Sequence, residues 1–266
     1  MADLERIKNI VTPVRRVVTA YGLKTLWSIE FREAAAGNLT ALNEALAEGN
    51  GAIGLTPHFS KGDFLADLVA LNLNSKEARR RPTRIPIAAH QRPFYLDILC
   101  GLGDVSLATI ITGDTRLKEN ELKTKGKPIP WRNINPTEAM NDYLDTSIEE
   151  LEQGGLVFLA PQGGRRDSLR PFRGGPLSRL MDRAGEKGVN PDKIPVFSVG
   201  LEIEGVTDYS NLKGLNLWRK YTLTLGRTVK RGKIKGDIDQ WAYESMLELA
   251  PEAYRPKTRI NKITQT

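Results

Sequence analysis

The sequence predicts a single α/β domain, with a mixed, largely parallel central sheet flanked by helices and an N-terminal helical segment ahead of it. Three observations carry this. Short apolar or β-branched runs alternate with helical-period stretches along the 266 residues, the pattern of a layered α/β fold. That length suits one large domain with a sizeable core. Hydrophobic residues at 40% and charged residues at 27% exclude a disordered chain. No internal repeat or low-complexity tract divides the chain, so the segments are drawn as 1–48, helical, and 49–266, the domain.

Leu4, Ile7, Val11, Val14, Val18 and Tyr21 recur at spacings of three and four, one stripe of a helix. Residues 3–35 are therefore expected to be helical, interrupted near Pro13. The stripe can pack on its own domain or dock at a membrane interface. A second helix is expected from Thr40 to Glu48, a strand from Ala52 to Thr56 and a helix from Asp63. A strand follows at Ile85–Ala89, a helix at Phe94–Leu102 and a β-branched strand at Val105–Thr112. The polar, Pro-punctuated stretch Lys118–Asn135 reads as a surface excursion or lid. Pro136 then starts a helix over Thr137–Glu152. Leu156–Ala160 reads as a strand, 176–187 as a helix, Ile194–Ile203 and Tyr221–Leu225 as strands, and 237–249 as a helix.

Composition removes several function classes. The one cysteine, Cys100, excludes a disulfide framework and a cysteine-based zinc site, and most simply is an inert core thiol. Two histidines, His58 and His90, leave little room for a histidine-rich metal centre, and no metal or other cofactor is expected. No run of eighteen apolar residues occurs, and MADLERIKN lacks the apolar core of a signal peptide. The expectation is a cytoplasmic protein, with peripheral contact to the inner face of the membrane as its extension. The 39 Lys+Arg exceed the 32 Asp+Glu by seven. Between Lys220 and Thr266 ten basic residues face five acidic ones, so this stretch carries five of the seven charges. Such a surface suits phospholipid headgroups, acyl carrier protein, coenzyme A or nucleic acid, or it solubilises.

Two segments carry chemistry. Pro57-His58-Phe59-Ser60-Lys61-Gly62-Asp63 lies where an apolar strand gives way to a helix, the place where open α/β sheets hold ligands. A turn plus the first helical turn can bring His58 and Asp63 together. A carboxylate on one imidazole nitrogen fixes the tautomer and frees the other nitrogen as a general base. The plainer alternative is a helix cap by Ser60 or Asp63 with His58 merely exposed. The second segment runs from Pro161-Gln162-Gly163-Gly164-Arg165-Arg166-Asp167 to Arg170 and Phe172-Arg173-Gly174-Gly175. Glycines let the backbone bend close to an anion, and guanidinium groups grip phosphate oxygens bidentately. An ordinary basic surface turn is the alternative here. No Walker sequence and no nucleophile elbow occurs: Ser198 has Gly200 after it but Val196 before it.

These segments resemble the glycerolipid acyltransferase family, the glycerol-3-phosphate and lysophosphatidate acyltransferases. His58-Phe59-Ser60-Lys61-Gly62-Asp63 matches the family's H-x-S-x-x-D block, with Pro57 where an Asn is usual. The F-P-E-G-T-R block becomes Ala160-Pro161-Gln162-Gly163-Gly164-Arg165, closest to the P-S-G-G-R-D-R of plastid-type soluble glycerol-3-phosphate acyltransferases. Phe172-Arg173-Gly174 is similar to a downstream F-[KR]-x-G segment, and Ile194-Pro195-Val196 to the last block. The blocks occur in order over residues 50 to 230.

The resemblance implies that His58 is the general base and Asp63 its orienting carboxylate. It also implies that Arg165 binds the acceptor's phosphate beside Gly163 and Gly164. The second arginine of the plastid-type block falls on Asp167, leaving Arg166 or Arg173 to substitute. The Lys-His phosphate contact of that type has no counterpart; Arg116 and Lys118 are the nearest basic residues. His90 could line the site.

The implied co-substrate is acyl-CoA or acyl carrier protein, and the implied acceptor is glycerol-3-phosphate or a lysophospholipid, met at a reversibly bound anionic membrane surface. The rival class is a non-catalytic anion-binding module docking on membrane or RNA. It gives no reason for His58 and Asp63. The tail aromatics Tyr221, Trp241, Tyr243 and Tyr254 show no recognised RNA-binding spacing, so no nucleic acid is expected.

Overall fold

Runs too apolar to leave a face for solvent form the middle of the sheet. Strands β2 (Ala52–Leu55) and β5 (Leu156–Leu159) are buried at every residue, as strands covered on both faces must be. The computed structural model describes residues 18–24, 28–59, 63–89, 105–111, 113–162, 168–172, 174–209, 212 and 218–256. Within these, the remaining strands are β1 (Ser28–Glu33), β3 (Thr83–Ala88), β4 (Val105–Ile110), β6 (Pro195–Ile203) and β7 (Lys220–Lys230). The helices are α1 (18–24), α2 (Asn38–Ala47), α3 (Asp63–Asn74), α4 (Gly113–Thr124), α5 (Pro136–Glu152), α6 (Pro176–Glu186) and α7 (Ile238–Leu249).

One seven-stranded sheet has the order β1-β7-β6-β2-β5-β3-β4. From β6 to β4 neighbouring strands are parallel, β7 is antiparallel to β6, and β1 is parallel to β7. Helices α2 and α3 pack on β1, β6 and β7. Helix α7 covers β6 and β7, α5 covers β3, β4 and β5, and α6 bridges α5 and α7. The sheet is thus a mixed, mostly parallel one with flanking helices, the α/β fold expected.

Parallel strands bring their C-terminal ends to one end of the sheet. Leu55 pairs with both Leu159 and Ser198, so the segments after β2 and β5 emerge side by side. Ile203 pairs with Tyr221, and Lys220 with Ser28. The β6–β7 connection and the chain entering β1 therefore lie at that same end.

Most expected elements are present within a residue or two. Three differ. Residues 28–33 are not helix but the edge strand β1, in which Ile29 and Phe31 alternate toward the core. The pairing with β7 fixes this period of two over the helical reading. The expected excursion at 118–135 begins inside α4, where Lys118–Glu121, Lys123–Glu119 and Lys125–Glu121 pair at 2.6 Å each. Such i,i+3 and i,i+4 pairs support a helix that its polarity had disguised. Finally, β7 continues five residues past Leu225, its register with β6 reaching Pro195↔Lys230. The expected helical stretches 3–17 and 94–102 lie outside the described residues, as do His90 and Cys100.

Candidate active site

Strand β2 delivers its last residues to the C-terminal end of the sheet, in the gap between β5 and β6. Gly54 keeps that gap narrow: a Cβ there would stand 2.8 Å from ring atoms of both Phe158 and Phe197. Thr56 continues the strand's bonding, its N–H donating to the Leu159 carbonyl at 2.9 Å. His58 follows on a short turn, and Asp63 opens α3.

The side chain of Asp63 is fully buried and that of His58 is 15% exposed. One carboxylate oxygen, Asp63 Oδ2, accepts the Phe59 N–H at 2.7 Å. The same oxygen stands 3.3 Å from His58 Nδ1. That nitrogen is shut off from solvent and does not point along the line to Oδ2. The contact is therefore a charge-to-ring approach rather than an aligned hydrogen bond. With Nδ1 buried beside the carboxylate, Nε2 is the nitrogen left for a substrate proton. The Phe64 ring, 5.4 Å from the imidazole, walls one side.

The turn is braced from below. Phe59 is buried and meets Tyr209 and Tyr254 at ring separations of 4.6 and 5.1 Å, and the two tyrosines meet at 5.1 Å. Burial, then the nearby Glu202 and Asp63 charges, push the Tyr209 phenol up to about 12, against a hydrogen bond to the Ile203 backbone. Gln162, just past β5, donates from Nε2 to the His58 carbonyl at 3.2 Å and to the Tyr254 hydroxyl. Its Oε1 is buried with no hydrogen-bond partner among the described residues. The Leu169 N–H donates to the Tyr254 carbonyl at 2.8 Å, anchoring the far side of the glycine-arginine loop to the same tyrosine.

One turn beyond Asp63 on α3, Asp67 is also fully buried. Burial pushes its carboxyl well above the usual carboxylate range. The Thr56 hydroxyl opposes this and the Asp63 charge adds to it. Among the described residues neither oxygen of Asp67 reaches solvent or accepts a hydrogen bond, the Thr56 hydroxyl donating to the Pro57 carbonyl at 3.3 Å.

The structure thus brings His58 and Asp63 together. Gly163, Gly164, Arg165, Arg166 and Arg173 lie outside the described residues. Arg116 and Lys118 stand exposed on α4, which follows β4, three strand positions from β2 or about 14 Å across the sheet. Lys118 is held by Glu121 at 2.6 Å. Ser198 is buried within β6, its Oγ 2.4 Å from where a Cβ on Gly226 would stand, and so has no room for a substrate. Among the described residues no group of three or more His, Cys, Asp or Glu side chains is placed to hold a metal ion.

Sequence reasoning did not single out Asp67, Tyr209 or Tyr254 as site residues. Asp67 carried a signal, a lone acid inside the apolar run Phe64–Leu73. The tyrosines carried none, because they arrive from distant positions in the chain. No family model and no curated protein matches this chain.

Proposed function

We propose that this protein is an acyltransferase that moves a fatty acyl group from a thioester, acyl-CoA or acyl carrier protein, to an alcohol. The acceptor class is glycerol-3-phosphate or a lysophospholipid. The observation that carries the reading is the His58 imidazole set against the buried Asp63 carboxylate at the C-terminal end of β2. A structural histidine has no need of a buried acid on Nδ1. A general base does, because the acid holds the ring and stabilises the imidazolium.

In this reading Nε2 takes the proton of the acceptor hydroxyl, whose oxygen attacks the thioester carbonyl carbon. The tetrahedral intermediate collapses, the C–S bond breaks, and the imidazolium returns its proton to the departing thiolate. No acyl-enzyme forms. The arginines Arg165, Arg166 and Arg173 belong to the loop that leaves Gln162, whose side chain bonds the His58 carbonyl. Phosphate binding by those arginines is part of the proposal. The acceptor or product is a lipid, so the protein works in reversible contact with a membrane surface; no described helix is long and apolar enough to cross one.

A thiol-release assay with acyl-CoA and with acyl carrier protein, against phosphorylated and unphosphorylated alcohols, tests the reading. Acceptor-dependent thiol release with ester formation is expected, faster on the phosphorylated alcohols. Release with water alone, or none with any pair, counts against it. Arg165→Ala should mainly raise the acceptor KM, by an amount matching about 1.5–3 kcal/mol of charge-assisted contact, and Arg165→Lys should recover part of it.

A further inference from the structure

Asp67 is a buried acid that the reaction above does not use. It sits four residues after Asp63 on α3, so the two carboxyls share one face of the helix, a turn apart. Both are fully buried. Asp63 Oδ2 accepts the Phe59 N–H and stands beside the His58 ring. Among the described residues Asp67 has no such donor, and no cation is turned to it. On β1, Glu30 and Arg32 pair with each other at 2.7 Å; on β7, Lys220 serves Glu30 and Glu204. Beside α3, Arg79 donates to the Ser75 and Leu73 carbonyls and Arg80 to Glu77. The remaining charges on the strands that α3 touches are Glu33, Glu202 and Arg227, which are exposed, and Lys230, which pairs with Glu48 at 2.6 Å. From the end of β2 the Thr56 hydroxyl faces the group.

We propose that Asp67 is a positioning residue for the His58–Asp63 pair, a carboxylic acid that stays protonated at neutral pH and gives its hydrogen to the Thr56 hydroxyl oxygen, whose own hydrogen goes to the Pro57 carbonyl next to His58. Two unscreened carboxylates one turn apart would repel. A neutral acid instead supplies a donor to Thr56 and leaves Asp63 as the one charge beside Nδ1. It acts on the acceptor's proton only through Asp63 and His58. The inference rests on the acyltransferase reading for its kinetic consequence, but not for its protonation state.

The test has two independent readouts. In urea unfolding across pH 5–8, a proton held by folded Asp67 and released on unfolding makes wild type lose stability relative to Asp67→Asn as pH rises. The ratio of their unfolding constants should grow by up to about tenfold per pH unit. Identical pH dependence of the two proteins overturns the proposal. In transfer kinetics, Asp67→Leu should lower kcat about tenfold with the acceptor KM unchanged, the worth of one hydrogen bond. Asp67→Asn, which keeps a donor, should restore kcat to within about threefold of wild type. A wild-type kcat for Asp67→Leu, or an Asp67→Asn variant as crippled as Asp63→Asn, overturns the positioning role. Should no acyl transfer be found at all, the proposed function fails by that result, while the unfolding comparison still decides whether Asp67 carries its proton.

Discussion

One oxygen of Asp63 serves both the Phe59 N–H and the His58 ring, which explains why a close mimic should fail there. In Asp63→Asn the amide oxygen can still take the Phe59 N–H, but the charge that favours the imidazolium is gone. Turnover is expected to fall on the order of 10²–10⁴ with the circular dichroism spectrum unchanged. Gln162 is the second residue on which the site turns. Its N–H₂ group is the donor to the His58 carbonyl, and a carboxylate has none to give. Gln162→Glu should therefore lower kcat more than Gln162→Ala does, and the alanine variant should cost about 0.5–1.5 kcal/mol in urea unfolding. The reverse order in kcat would show that Gln162 does not hold the turn through that bond.

At the scale of elements, α6 and α7 are fastened to each other. Asp239, in the first turn of α7, accepts the Leu177 N–H at 2.9 Å, the Ser178 N–H at 3.1 Å and the Ser178 hydroxyl. It thereby caps α6, whose own cap position is Gly175 with φ +57. Asp239→Ala should destabilise the protein by about 1–2 kcal/mol, read by chemical unfolding. Glu121 on α4 offers a contrasting test by pH. The hydrogen bonds from Lys118 and Lys125 lower its carboxyl to about 2. A depressed carboxylate stabilises above its unfolded value and stops doing so as pH falls through the folded one. The protection factors of α4 amides, taken against the intrinsic exchange rate at each pH, should therefore fall between pH 4.5 and about 2, and at high salt the effect should shrink. The core strands and amphipathic helices were legible because burial dictates their residue types. Helix α4 and strand β1 were not. The first rests on side-chain pairs in a polar stretch, and the second on a partner, β7, nearly two hundred residues away.

Across the whole molecule, the two ends of the sheet differ in chemistry. The His58 end also holds the exposed Trp218, with φ 67, and the exposed Val18 and Tyr21 of the helix before β1. Lys230, Arg231 and Lys233 lie at the other end of β7, about 33 Å from Lys220 by strand rise. Lys230 is moreover paired with Glu48 at 2.6 Å. A lipid surface serving His58 must meet the apolar rim and not these cations. Trp218→Ala is expected to weaken liposome sedimentation, while charge reversal at Lys230, Arg231 and Lys233 should leave it within experimental error. The opposite pattern would place the membrane contact at the far end. This division was invisible in the sequence, where the basic stretch 220–262 reads as one patch. The antiparallel course of β7 splits it. The site fared differently: the spacing of five between His58 and Asp63 is local, and it sets the residues after β2 against the first residue of α3. Gln162 was legible as a member of its block, but the brace it forms with Tyr209 and Tyr254 depends on long-range packing and left no mark in the sequence.

The central claim is that His58 is the base for acyl transfer. The most direct measurement compares wild type and His58→Ala in acceptor-dependent thiol release, with folding of both verified by unfolding midpoints. A loss of about 10²–10⁴ in kcat at an unchanged midpoint is the predicted result. Near wild-type turnover by a folded His58→Ala protein would contradict the account.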